Sequence, residues 1–200
     1  MADAKTVMEL REKTGAGVMD CKAALTASNG NLEAAVEYLR KKGLADAKKR
    51  EHRDAKDGVV HAYIHPGSKL GVLIEVDCET DFVAKTDAFQ QLVRDLAMHV
   101  AAANPSYVSR DDVPATVLEK EREIYRGQMA DQKKPAQVID KIVEGKLEKW
   151  FTEQCLLEQA FIKDATGKTK VKELVDLTNS KTGERVVVKR FARFQIGGGG

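Results

Sequence analysis

The apolar residues of this chain change period twice, and no other feature of the sequence limits its fold as strongly. In Val60, Ala62 and Ile64, and again in Val72, Ile74, Val76 and Cys78, small or apolar residues fall at every second position. That spacing lines one face of a strand. Pro66-Gly67-Ser68 lies between the two runs and supplies a looped turn, so the pair is predicted to form a β-hairpin. Before and after the hairpin the apolar spacing is three and four, as on a helix. A hairpin is not stable alone. Val186, Val188, Ala192, Phe194 and Ile196 mark a last strand that should join it, although the sequence does not say beside which strand. The fold class is therefore α+β: an N-terminal three-helix module, then a core with a small antiparallel three-stranded sheet packed by helices.

The helical parts carry their own punctuation. Val7 and Leu10 share one face of a helix over residues 4–13, which Thr14-Gly15-Ala16-Gly17 breaks. Cys21, Ala24 and Leu25 form one stripe over residues 18–28, stopped by Asn29-Gly30. Asn31 is a good N-cap for a third helix bearing Leu32, Ala35, Val36 and Leu39, expected to end near Gly43. Residues 1–43 thus read as a three-helix module resembling the ubiquitin-associated fold. Residues 41–56 hold seven Lys or Arg against three acids, a surplus of four, which reads as a solvated helical bridge. Its portion 44–56 is assigned as a charged linker, 57–196 as the α+β core and 197–200 as a flexible glycine tail. Within the core, Phe89, Leu92, Val93, Leu96 and Val100 predict a helix ended by Asn104-Pro105. Further helices are expected from Pro114 to about Ala130 and from Pro135, the latter interrupted at Gly145, with a short one around Val171, Leu174 and Val175.

Composition excludes several classes. The chain has 200 residues, 42% hydrophobic and 32% charged, which is globular rather than disordered. A net charge of +2 provides no large basic excess for a polyanion, so no direct nucleic-acid partner is expected. No apolar run approaches membrane-spanning length, and the N-terminal stretch is a charged amphipathic helix without a signal-peptide core; a cytoplasmic location and no membrane partner are the expectation. Cys21, Cys78 and Cys155 are odd in number, far apart and outside any CxxC pair, which argues against a disulfide framework or zinc knuckle.

The chemical motifs fail in turn. Ala165-Thr166-Gly167-Lys168-Thr169 has the ending of a P-loop, but position 162, where the first glycine belongs, is Ile. His61 and His65 share a strand face near Asp77 and Glu79, yet the spacing is loose and an ordinary surface pair is favoured over a metal site. Cys78 lies among Asp77, Glu79 and Asp81, which would raise its pKa and disfavour a thiolate nucleophile. No catalytic residue, metal ligand or cofactor is assigned, and the chain is read as a docking protein rather than an enzyme. What stays unusual is Thr80-Asp81-Phe82-Val83, where the second strand meets a helix. Thr80 or Asp81 suits a helix N-cap. Phe82 precedes Phe89 by seven residues and so fits a buried helix face, but at a strand-to-helix corner it equally fits an outward anchor for a partner. Periodicity does not separate the two.

Three motifs in order resemble the translation elongation factor Ts family. They are Thr80-Asp81-Phe82-Val83-Ala84-Lys85, the stretch from Leu10-Arg11 through Thr14-Gly15-Ala16-Gly17-Val18-Met19-Asp20-Cys21 to Leu25, and Glu144-Gly145-Lys146-Leu147 followed by Cys155-Leu156-Leu157-Glu158-Gln159 and Phe161. The resemblance implies a guanine-nucleotide exchange factor that binds elongation factor Tu, GDP-bound and nucleotide-free. It makes Asp81 and Phe82 an intruding pair flanked by Thr80 and Val83, and so turns Phe82 outward. It maps Arg11, Val18 and Met19 onto the contact surface of the N-terminal module. A single hairpin region and no sustained heptads resemble the short form of the family, for which a homodimer is expected. The alternative is a ubiquitin-associated-type protein-binding adaptor, in which residues 1–43 alone would bind a partner and the corner would have no role.

Overall fold

The computed structural model describes residues 3–50, 52–129 and 135–197, with the side chains of residues 44–49 outside that description. In chain order its main elements are α1 (Ala4–Thr14), α2 (Val18–Ala27), α3 (Leu32–Arg50), β1 (Asp57–Ile64), β2 (Leu70–Cys78), α4 (Asp81–Ala84), α5 (Asp87–Ala103), α6 (Ala115–Gly127), α7 (Ala136–Gln154), α8 (Val171–Thr182) and β3 (Val187–Gln195). The three strands form one antiparallel sheet in the order β1-β2-β3. The last strand therefore pairs with β2, and the N–H of Ile196 donating to the carbonyl of Lys69 at 2.9 Å fixes the register.

The chain divides into two units. The first comprises residues 1–61, 74–95 and 173–189. Its N-terminal helices close over Val7, Leu10, Cys21, Ala24, Leu25 and Ala35, with Ala16, Leu32 and Leu39 packed against them. Gly15 ends α1 at φ +67°, donating to the carbonyl of Arg11, the left-handed cap that glycine takes without strain. The Asn31 side chain accepts the N–H of Ala34 and starts α3 as expected. Val36, placed on the buried stripe by its spacing, is exposed; Ala35 takes the core position.

The third helix does not stop at Gly43. It runs to Arg50 along α8, where Arg40 pairs with Glu173 and the Arg50 guanidinium donates to the carbonyl of Asn179. A Cβ on Gly43 would lie 2.7 Å from the Ser180 hydroxyl. Gly43 is thus a notch for a neighbouring helix, and the helix tolerates it because glycine costs only about 1 kcal/mol relative to alanine. The charge reading of the linker falls partly on residues 44–49 and 51, outside the described side chains, and the glycine tail at 198–200 lies outside the described residues.

The second unit comprises residues 62–73, 96–172 and 190–200. Here α7 passes straight through Gly145, against expectation. Nothing within 4 Å meets a Cβ at that position, so this glycine is neither a notch nor a stop. Val143 and Leu147 on either side are buried, and their burial outweighs the small propensity cost. Ion pairs between Arg122 and Glu144 and between Arg126 and Asp140 join α6 to α7. The predicted end near Ala130 is at Gly127, and Ala130 itself is not described.

The two apolar runs of the hairpin have different fates. Val72, Ile74, Val76 and Cys78 on β2 are buried. On β1 the run Val60, Ala62 and Ile64 faces outward, while Val59, His61 and Tyr63 are half-buried. In the second unit, Ile64, Leu73, Phe194 and Ile196 leave an apolar outer sheet face in water.

Candidate functional site

The corner after β2 begins with an N-cap. Thr80 has extended backbone, and its hydroxyl accepts the N–H of Val83 at 3.4 Å, which starts α4. Only one turn forms. Thr86 then ends it and caps the next helix: its hydroxyl donates to the carbonyl of Val83 at 2.8 Å and accepts the N–H of Phe89 at 3.4 Å. Because the helix restarts at Asp87, the seven-residue spacing from Phe82 to Phe89 does not lie along one helix. Phe89 is fully buried, whereas Phe82 is 79% exposed.

The residues flanking that phenylalanine hold it out. Val83 and Ala84 are buried, and the Gln90 amide donates to the Ala84 carbonyl at 2.7 Å. On the other side, the Glu184 carboxylate accepts both the N–H of Thr80 at 3.0 Å and its hydroxyl at 2.7 Å. Glu79 returns the contact by accepting the N–H of Arg185 at 2.6 Å, and it also faces Arg53 at 3.4 Å. Asp81 sits in the first turn of α4 and pairs with Lys85 at 2.6 Å. The hydrogen bond from Lys85 holds the Asp81 carboxyl below its usual range and raises the lysine in return.

Thr80, Asp81, Phe82 and Val83 therefore occupy one corner. Arg11, Val18 and Met19 lie in the N-terminal helices of the first unit: Arg11 is exposed on α1, and Val18 and Met19 are exposed on the first turn of α2, Met19 at 76%. No hydrogen bond or ion pair joins the two groups among the described residues. The role of Glu184 and Glu79 carries no local signal in the sequence, since each reaches a partner more than a hundred residues away.

The other chemical possibilities close on geometry. The Asp164 carboxylate accepts the N–H groups of Thr166, Lys168 and Thr169 and the Thr166 hydroxyl. Those bonds, led by the one from Thr169, hold the carboxyl well below the usual carboxylate range. In a P-loop such N–H groups would face a phosphate; here a side chain of the loop itself occupies them. His65 bonds the Tyr63 hydroxyl, and among the described residues no group of three or more His, Cys, Asp and Glu could hold a metal. Burial pushes the Cys78 thiol up to about 11, with Glu184 and Asp57 adding to it. The acids responsible are thus not its sequence neighbours. Burial does the same for Cys155, also to about 11. No described helix is long and apolar enough to cross a membrane.

Known proteins give the corner a context. A family model described as Elongation factor TS matches residues 45–198. Proteins named Elongation factor Ts from Moorella thermoacetica and Herpetosiphon aurantiacus are each 56% identical to this chain. The first similarity spans 199 residues, 100% of this chain and 97% of that protein, and the second 191 residues, 96% of each. A third so named, from a Thermoanaerobacter species, is 55% identical over 199 residues, covering 100% of this chain and 97% of its own length. With the family pattern covering the whole core and the relatives extending through the N-terminal helices, this chain belongs to the elongation factor Ts family of translation factors.

Proposed function

We propose that this chain is a guanine-nucleotide exchange factor that docks on elongation factor Tu in its GDP-bound form and promotes release of the GDP. The observation that supports this most is Phe82, a large apolar side chain standing in water beside buried Val83 and Ala84. A side chain held out in that way is an anchor awaiting a pocket. In this reading Asp81 and Phe82 press into the region of the partner that holds the nucleotide's magnesium ion, flanked by Thr80 and Val83. Arg11, Val18 and Met19 dock the N-terminal module. Magnesium bridges phosphate oxygens and neutralises their charge, so displacing its surroundings weakens GDP. Linkage makes the effect mutual: a factor that weakens GDP binding is itself weakened by GDP, and incoming nucleotide ejects it. The chain forms and breaks no covalent bond and needs no cofactor, and its place of action is the cytoplasm, where translation runs.

The experiment is stopped-flow release of a fluorescent GDP from elongation factor Tu. Acceleration that saturates with added protein is expected; a release rate indifferent to it would sink the proposal. The adaptor reading, in which the N-terminal helices act alone, is disfavoured by the contacts of α3 with α8 at Arg40, Gly43 and Arg50.

A homodimer belongs to the same proposal. The outer sheet face of Ile64, Leu73, Phe194 and Ile196 is suited to a second copy, since a two-fold contact sets the same apolar patch against itself. Sedimentation at two concentrations should show the dimer, and Phe194→Glu should leave a monomer.

A further inference from the structure

The exposed corner is braced on its N-terminal side by a carboxylate that approaches from the far end of the sequence. Glu184 lies just past the end of α8, after Gly183, whose N–H returns to the carbonyl of Asn179. Its two oxygens divide their work: Oε2 accepts the backbone N–H of Thr80 and Oε1 accepts the Thr80 hydroxyl. A hydroxyl that donates to a carboxylate turns its lone pairs away from it. The Thr80 oxygen is then free to accept the N–H of Val83 and cap α4. Glu184 thus sets the polarity of the cap that starts the one-turn helix carrying Phe82. The bond from Arg185 to Glu79 makes the brace reciprocal, because each segment supplies a carboxylate to a backbone N–H of the other.

From this geometry we propose that Glu184 is a positioning residue for nucleotide exchange, fixing the angle at which Asp81 and Phe82 leave the surface. The proposal rests on the exchange reading above. Glu184 does not need to touch the partner; its effect passes through Thr80. A helix of one turn has little stability of its own, so its direction follows its cap. The C-terminal side of the corner is held independently by Thr86 and Gln90. Loss of Glu184 therefore leaves the corner attached but misaimed.

Glu184→Gln is the variant of choice. It keeps the size and loses one acceptor, so the N–H and the hydroxyl of Thr80 no longer both have a carboxylate oxygen. At saturating protein the maximal rate of GDP release from elongation factor Tu should fall about tenfold, the scale of a small misplacement of a positioned group. The protein concentration giving half-maximal rate should stay within about twofold, since the rest of the docking surface is untouched. Thr80→Val should lose maximal rate as Glu184→Gln does, and Thr80→Ser, which keeps the hydroxyl, should retain clearly more of it than Thr80→Val. In a Phe82→Ala background, Glu184→Gln should have a much smaller further effect, because only Asp81 remains to aim.

An equal loss in that background would overturn the proposal, as would a shift in half-saturation with the maximal rate unchanged. If Glu184→Gln melts early, the Thr80→Ser and Thr80→Val pair decides alone. A wild-type protein that leaves GDP release unchanged removes the exchange reading and this role with it. A wild-type protein that speeds release, beside a Glu184→Gln variant of equal speed, overturns this role only.

Discussion

Residues 79–84 and residues 155–170 are both short connecting segments beside long helices, and both are organised by polar groups, yet they end in opposite states. The first segment spends its hydrogen bonds at its edges, through Glu184 on one side and Thr86 and Gln90 on the other, and leaves Phe82 in water. The second spends them inward. Asp164 gathers the N–H groups of its own loop, and buried His99 ties Gln159 and Ile162 together from α5. Arg110 spans Glu148 and Glu158 and stacks on Phe151 at 4.6 Å. The second segment's bonds are spent on its own packing, with Ile162 half-exposed at its surface. The first segment's braces stand aside from its apolar tip.

The largest expected effect tests that contrast at the tip. Phe82→Ala should slow stimulated GDP release about thirtyfold, the loss of an anchor worth about 2 kcal/mol. Its melting temperature should match wild type, because the side chain removed has almost no neighbours. A clear drop in stability would mean that Phe82 packs in solution, and the contrast between the segments would fail.

The next effect should appear in the second segment and be the mirror image. His99 Nδ1 accepts the N–H of Ile162 at 3.2 Å, so the ring proton sits on Nε2 and is donated to Gln159 at 2.9 Å. Burial lowers the pKa of this histidine from 6.5, the bond to Gln159 opposing it in part. The unfolded chain therefore takes up the proton first. The stability that His99 contributes is complete above about pH 6.5 and drains away as the pH falls through the lower folded value. His99→Leu should cost about 2 kcal/mol at neutral pH, leaving Ile162 and Gln159 unsatisfied, and should flatten the acid side of the stability curve. Denaturant unfolding at several pH values reads both. Stimulated GDP release by the folded variant should be unchanged.

The sequence made these two segments legible to different degrees. Asp164 and the donors it gathers are five residues apart at most, so a loop without a phosphate could be read there directly. The alternation on β2 and the stripe on α5 likewise predict burial correctly, since period alone assigns a face. Phe82 resisted such a reading. Its exposure depends on a helix break at Thr86 that needs the capping geometry, and on a carboxylate 104 positions away. On β1 periodicity stops short for a related reason. It groups Val60, Ala62 and Ile64 on one face but does not say whether anything covers that face.

The two interior helix glycines extend the comparison to its smallest effect. Gly43 in the first unit and Gly145 in the second both read as helix stops, and α3 and α7 run through both. They differ in surroundings. A Cβ at Gly145 meets nothing, so Gly145→Ala should gain the full helical advantage of about 0.5–1 kcal/mol. A Cβ at Gly43 would lie 2.7 Å from the Ser180 hydroxyl and 3.7 Å from its Cβ. The same substitution there should be worse than at Gly145 by about 1 kcal/mol, as Ser180 is forced to move. Ser180→Ala removes the offending oxygen and keeps the more distant carbon, so in that background the two substitutions should become equally stabilising. Thermal unfolding of the four variants measures this. If Gly43→Ala were as favourable as Gly145→Ala with Ser180 in place, α3 would not be seated against α8, and the N-terminal helices would be free of the core that carries the corner.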